Sequence, residues 1–339
     1  MKKIITATAT LALLIFFSSC KKTNEIKPAV SQADDELSLA VTNNTNKVVT
    51  IAGHVNSSGF MDGTANVARF NAPMGIQLLK DGTLYVADRY NNAVRKISPD
   101  GVVSTETLKT PEEEYGLIQP MYVGKDARKN LHVVCATDGD AYSHSFIFDS
   151  QRVFLEEHSV PYSVESCLAK DPYYDVFWFS SGHSVGVHTL YSDPTPGSSQ
   201  GFDADEFFPP FSSRGSSFKG LFVGRNKVIY FSAGGSLFKH TPSGVTARIY
   251  ETLQPGSITS IVLNADSKTM YLAADGYIEK IVNGKLTKLA GPNATNPDGR
   301  DGIGFKADVN AFSLALGDHE NVLYFSDTKT NTIRKLMLK

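Results

Sequence analysis

Two segments near opposite ends of the chain, residues 86–96 (VADRYNNAVRK) and 325–335 (FSDTKTNTIRK), are written in one pattern. Each sets an Asp, an Asn four residues on and an Arg three beyond: Asp88, Asn92, Arg95 and Asp327, Asn331, Arg334. Each follows a strand-like apolar run, Leu84-Tyr85-Val86 and Leu323-Tyr324-Phe325. A second duplicated element lies upstream, Asp62-Gly63 leading to Asn71 and Asp301-Gly302 leading to Asn310, with nine residues from Asp to Asn in both. One such unit cannot bury its apolar face alone. Repetition of a strand-rich unit therefore requires a stacked architecture, a propeller or a β-solenoid.

The rhythm between the two copies selects the propeller. Apolar runs that read as second strands begin near Leu84, Leu131, Phe177, Ile229, Met270 and Leu323, at intervals of 41 to 53 residues, the spacing of four-stranded blades. In the first unit the strands fall at 75–79, 84–87, 93–97 and 102–107, with Lys80-Asp81-Gly82 and Pro99-Asp100-Gly101 as hairpin turns. The last unit runs out of chain after three strands. Its missing outer strand is 48–53 (VVTIAG), which matches 286–291 (LTKLAG) at the end of the fifth unit. The expectation is an all-β chain: a six-bladed β-propeller of four-stranded antiparallel blades, closed by an N-terminal strand that removes an exposed edge.

Residues 48–105 and 286–336 resemble the NHL repeat, a motif of six-bladed propellers. Units two to four share its strand spacing but not its Asp: Val134-Cys135-Ala136-Thr137, Phe179-Ser180-Ser181 and Phe231-Ser232-Ala233 stand there instead. The resemblance implies an interaction platform that binds a protein or glycan partner without catalysis. Propellers of the gluconolactonase, strictosidine synthase and amidating-lyase kinds supply the enzymatic alternative. The lactonase relatives hold calcium in the channel on oxygen ligands, for which Glu165, Asn264, Asp266 and Asp318 are the candidate oxygens. No cofactor is expected under the leading reading, and a structural spacer in an envelope complex is the third.

The N-terminus carries an address. Lys2-Lys3, an apolar stretch from Ile4 to Phe17 and Ser18-Ser19-Cys20 read as a signal peptide over 1–19. The apolar stretch is shorter than the roughly 20 residues of a membrane span. Ser18-Ser19-Cys20 resembles the lipobox of bacterial lipoproteins, which implies acylation (palmitate) at Cys20, cleavage before it and anchoring by lipid. Lys21 after the Cys favours an outer-membrane lipoprotein, periplasmic or surface-facing. Residues 20–46 read as the lipidated Cys and a flexible tether, and 47–339 as the propeller.

Charge removes one class of function. Without Lys2 and Lys3 the 33 basic residues become 31 against 35 acidic, a net charge of −4, so nucleic-acid binding has no electrostatic basis. Cys135 and Cys167 fall on predicted strands, either as small buried hydrophobes or as a pair. The eight His residues show neither HxH nor HExxH spacing, and metal binding is left open. The lone Trp178 reads as core between blades.

Asp88, Asn92, Arg95, Asp327, Asn331 and Arg334 read as structural braces, because one active centre does not need two copies and Asp and Asn cap tight turns. Asp62 and Asp301 belong to the same motif, with Phe70 and Val309 as plugs between blades. Loops between blades, and those joining second to third strands, share one face of a propeller. Here several are long: 54–71, 109–120, 192–218 and 292–310. Arg89, Tyr90, Asp138, Asp140, Tyr142, His144 and His183 are the candidate ligand or partner contacts on that face, in a chain read as a monomer.

Overall fold

The computed structural model describes residues 45–110, 117–136, 142–161, 167–172, 176–181, 184–188, 202–203, 218–233, 235–251, 253 and 255–339. Their strands form six antiparallel sheets, four of four strands and two of five. The innermost strands are Pro73–Leu78, Pro120–Lys125, Leu168–Lys170, Phe218–Val223, Ile258–Leu263 and Ala311–Leu316. Each packs against the next, and the sixth returns to the first, so they line a closed ring. The chain is a β-propeller. The sheets are numbered one to six below in the order of these inner strands.

Glycine sets how closely the inner strands approach. A Cβ on Gly75 would lie 2.7 Å from the Met121 carbonyl oxygen of sheet two, closer than a side chain tolerates. Hydroxyls on second strands then bracket neighbouring sheets. Ser180, Ser232 and Ser326 are buried, and their Oγ atoms donate to the Phe218, Ile258 and Met74 carbonyls of the following sheet at 3.3, 3.2 and 2.5 Å. The same oxygens accept from Cys167, Gly220 and Ser313 N–H of their own sheet. Buried hydroxyls satisfied on both sides hold the sheets in register at little desolvation cost.

The ring closes where the sequence places the closure. Lys47–Gly53 pairs antiparallel with Thr332–Met337, with Val48 opposite Leu336 and Gly53 opposite Thr332. Gly53 takes φ +92°, and a Cβ there would lie 2.6 Å from the Asn331 carbonyl oxygen, so the joint requires glycine. Val48, Ala52, Ile333 and Leu336 are fully buried, which gives the closing strand an apolar as well as a hydrogen-bonded grip.

Two sheets depart from the four-stranded expectation. Gly63–Thr64 adds outside Val102–Thr105 in sheet one, and Gly302–Ile303 adds outside Lys47–Gly53 in sheet six. Both belong to the duplicated Asp-Gly loops, whose carboxylates grip the outer strand. The first strand of sheet one begins at Pro73 rather than 75, and the last ends at Thr105 rather than 107.

Candidate functional site

The two duplicated motifs build one device twice. Asp88 is fully buried and accepts hydrogen bonds from Asn71 N–H (2.8 Å), Asn91 Nδ2 (2.8 Å) and Arg95 (2.7 Å). Arg95, also fully buried, donates onward to Asp62 at 2.8 Å and to the Met61 and Arg69 carbonyls. Its guanidinium lies between the Phe60 and Phe70 rings, 5.0 and 5.1 Å from their centroids. In sheet six, Asp327 accepts from Asn310 N–H, Thr330 N–H and Arg334. Arg334 in turn donates to Asp301, the Arg300 carbonyl and the Asp308 carbonyl.

Asp62 and Asp301 take the backbone N–H and hydroxyl of Thr105 and Thr50 respectively, which is what recruits the fifth strands. Burial works to raise the Asp62 carboxyl, but hydrogen bonds from Arg95 and Thr105 outweigh it and hold the group below its ordinary range. Asn92 and Asn331 stand in the left-handed region, at φ 51° and 60°. Their side-chain oxygens accept from Gln119 and Ala72 N–H, the residues that lead into the inner strand of the next sheet.

On these frames sits a patterned surface. Arg89 follows Asp88 on a 3-10 turn, donates twice to the Gln119 side-chain oxygen (2.9 and 3.1 Å) and lies 5.0 Å over the Tyr90 ring. Tyr90 is 55% exposed, and in the adjacent loop Phe60 and Met61 are 59% and 51% exposed. Asn91 Nδ2 binds the Gly59 carbonyl, which fastens the turn to that loop. The 54–71 and 292–310 loops also meet: Asn56 Nδ2 donates to the Asp298 carbonyl at 3.1 Å, and Asn56 N–H binds Thr330. Phe305 lies exposed in the second loop. A hydrogen bond from Arg300 holds the Asp298 carboxyl at about 2, so a closed Asp298–Arg300 ion pair stands on this rim beside its aromatics.

The other predicted contacts are less well placed. His144 is half-buried and donates from Nδ1 to Glu157. Tyr142 opens the strand Tyr142–Phe148. Asp138, Asp140, His183 and the calcium candidate Glu165 lie outside the described residues, as does most of 192–218. Asn264 and Asp266 accept from Thr269 and Lys268 N–H within one turn. Among the described residues no three His, Cys, Asp or Glu side chains come together around a common point. Cys135 and Cys167 are buried and not joined in a disulfide, and burial pushes the Cys135 thiol up. Trp178 is partly buried against the cluster of sheets three and four and donates to Asp171. Phe70 and Val309 are buried in separate clusters.

A cavity of about 430 Å³ occupies the ring, lined by all six inner strands. Its mouth is formed by the turns after those strands, at Pro172, Arg225, Ala265, Asp318 and Glu320. It therefore opens on the face opposite the long loops. Nothing in the duplicated motifs signals it, because its lining is shared among six strands far apart in the sequence.

No protein-family model matches the chain, and no curated protein does either. Solved structures of similar shape exist. An auxiliary nutrient binding protein from Bacteroides ovatus aligns over 86% of this chain and 76% of its own, at 14% identity and TM-score 0.59. Virginiamycin B lyase from Staphylococcus aureus aligns over 82% and 98%, at 14% identity and TM-score 0.54. A gluconolactonase from Xanthomonas campestris aligns over 89% and 93%, at 11% identity and TM-score 0.56. At these identities the likeness is one of fold.

Proposed function

We propose that this chain is an NHL-type propeller of six blades, lipid-anchored at Cys20 outside the cytoplasm, which binds a protein or glycan partner and does no chemistry on it. The observation that carries the reading is the loop face of sheets one and six. Tyr90, Phe60 and Met61 stand exposed there on loops whose backbone is fixed by the Asp88–Arg95–Asp62 chain of hydrogen bonds. Aromatic side chains held on a rigid frame lose little entropy when a partner covers them, and Tyr and Arg are the types that anchor interfaces. The buried charges of the motif are paired with one another, Arg95 with Asp88 and Arg334 with Asp327, as a brace requires. Propellers named as nutrient binding proteins share the fold, and binding by a propeller in an envelope setting agrees with the signal and lipobox pattern.

A photo-reactive residue placed at position 60 or 90 should crosslink to one discrete envelope component. The same residue at Val245, exposed on a turn joining third and fourth strands, should not. Equal products from all three positions would remove the reading.

A further inference from the structure

The chain holds more acidic than basic residues, yet one edge of the ring gathers cations without acids. A cleft of about 290 Å³ opens there between the outer strands of sheets five and six. Its cations are Lys280 and Lys285, its other polar side chains are Thr45, Asn46 and Thr287, and no carboxylate lines it. Strand register assembles the wall. Lys280 stands opposite Thr287 and Val282 opposite Lys285, so these positions share the face of sheet five that packs on sheet six, where Tyr271 and Leu289 are buried. Lys280 reaches the Tyr271 ring of its own sheet at 6.0 Å. Neither ammonium group has a carboxylate within ion-pair distance among the described residues.

Two more lysines flank the cleft. Lys47 is exposed and follows Asn46. Gly304 N–H donates to the Asn46 carbonyl at 2.8 Å, which brings the exposed Lys306 to the same edge. The acid on that segment, Asp301, is already paired with Arg334. Elsewhere the rim differs: the outer strand of sheet two, Phe154–Pro161, carries Glu156 and Glu157.

Charge and connectivity select the occupant. Ammonium groups without carboxylates, set among amide and hydroxyl donors, suit phosphate oxygens. The chain that runs from Cys20 enters the described structure at Thr45, in the wall of the cleft itself. An acyl group on Cys20 would hold this edge near the headgroups of its own leaflet at a high effective concentration, and each lysine brought to an anionic leaflet strengthens the contact.

We infer that the cleft between sheets five and six is a docking surface for an anionic phospholipid bilayer, with Lys280 and Lys285 on headgroup phosphates and Lys47 and Lys306 beside them. This rests on the lipid-anchored reading and adds an orientation to it. Lys285 follows the turn joining third and fourth strands, on the face opposite the long loops, so docking leaves the loop face directed away from the bilayer.

The experiment is vesicle flotation with the unacylated chain from Lys21, which keeps the closing strand Lys47–Gly53. It should float with phosphatidylcholine vesicles that contain about a third phosphatidylglycerol and not with phosphatidylcholine alone, and the binding should fall as salt rises. Lys280→Glu and the exposed Lys285→Glu should each weaken it by about tenfold or more. Lys96→Glu and Lys239→Glu should leave it unchanged: these lysines stand opposite Tyr85 and Tyr230 as Lys280 stands opposite Tyr271, but on other sheets. Circular dichroism and melting temperature check that every variant is folded. Binding to neither vesicle, equal binding to both, indifference to Lys285→Glu, or an equal loss from Lys96→Glu would each overturn the inference. So would polyglutamate or glycerol phosphate binding as tightly as the anionic vesicles. Failure of the lipid anchor is read separately, by fractionation of Cys20→Ala, and none of the substituted lysines belongs to the loop face.

Discussion

Asp88→Ala is the perturbation that the fold reports most sharply. The substitution removes three hydrogen bonds, from Asn71 N–H, Asn91 and Arg95, at a fully buried position. Breaking a buried ion pair outright costs about 3–5 kcal/mol because the remaining charge is stranded. Arg95 is not stranded: it keeps Asp62 and the Met61 and Arg69 carbonyls. The loss should accordingly fall below that range and above the roughly 1 kcal/mol of a single net hydrogen bond, at about 2–3 kcal/mol. Asp327→Ala should cost the same, since Arg334 keeps Asp301, Asp308 and Arg300 in matching roles. Asp62→Ala should cost less, about 1 kcal/mol, because that carboxylate is half-exposed and screened. Urea unfolding followed by circular dichroism gives all three, provided the slope with denaturant is unchanged. Losses under about 0.5 kcal/mol for Asp88→Ala and Asp327→Ala would refute the bracing account. So would a strong effect at one site and none at the other.

A chain that starts at Gly53 should expose the edge of Thr332–Met337 and aggregate or melt far below the full propeller in a thermal scan; unchanged melting would place the closure elsewhere. Glu279 is fully buried, neither carboxylate oxygen has a hydrogen-bond partner, and Lys288 stands 3.6 Å away. Burial raises its carboxyl above 4.5, so the stability it contributes is full below pH 4.5 and is lost as pH rises through the raised folded value. Glu279→Gln should therefore gain on the wild type between pH 4 and 7, and a pH-independent difference in unfolding free energy would contradict this. Cys20→Ala should leave the leader uncut or free the protein from membranes, read by fractionation and metabolic labelling with palmitate; a variant still acylated and sedimenting with membranes would sink the lipid anchor.

What could be read from the sequence follows from where the physics is local. The Asp88/Arg95 and Asp327/Arg334 spacing is a local signature, since the register of second and third strands makes these two positions diagonal neighbours on one face of the sheet. The likeness of 48–53 to 286–291 carried the closure for a related reason, a shared place at an outer edge. The serine brackets were hidden because Ser180, Ser232 and Ser326 act between sheets, and one hydroxyl in a strand looks like any other. In sheet two the corresponding position is Cys135, and in sheets one and five it is Ala87 and Ala273. Glu279 was missed because it stands where Arg95 and Arg334 stand in their own third strands, with Lys288 opposite in place of Thr105 and Thr50. The loop before sheet five is short and brings no Asp-Gly excursion over this position, so the charge pattern there is reversed and the pair is less well satisfied. The two-residue fifth strands and the ring cavity are products of long-range assembly and leave no periodicity to detect.

The central claim is that partner binding covers the loop face of sheets one and six. Hydrogen exchange on the purified protein, alone and with the component trapped from positions 60 and 90, tests it most directly. The account predicts new protection at 54–71, 89–92 and 292–310. Protection confined to the outer strands Val102–Thr105, Thr246–Ile249 and Lys285–Ala290, with none in those loops, would contradict it.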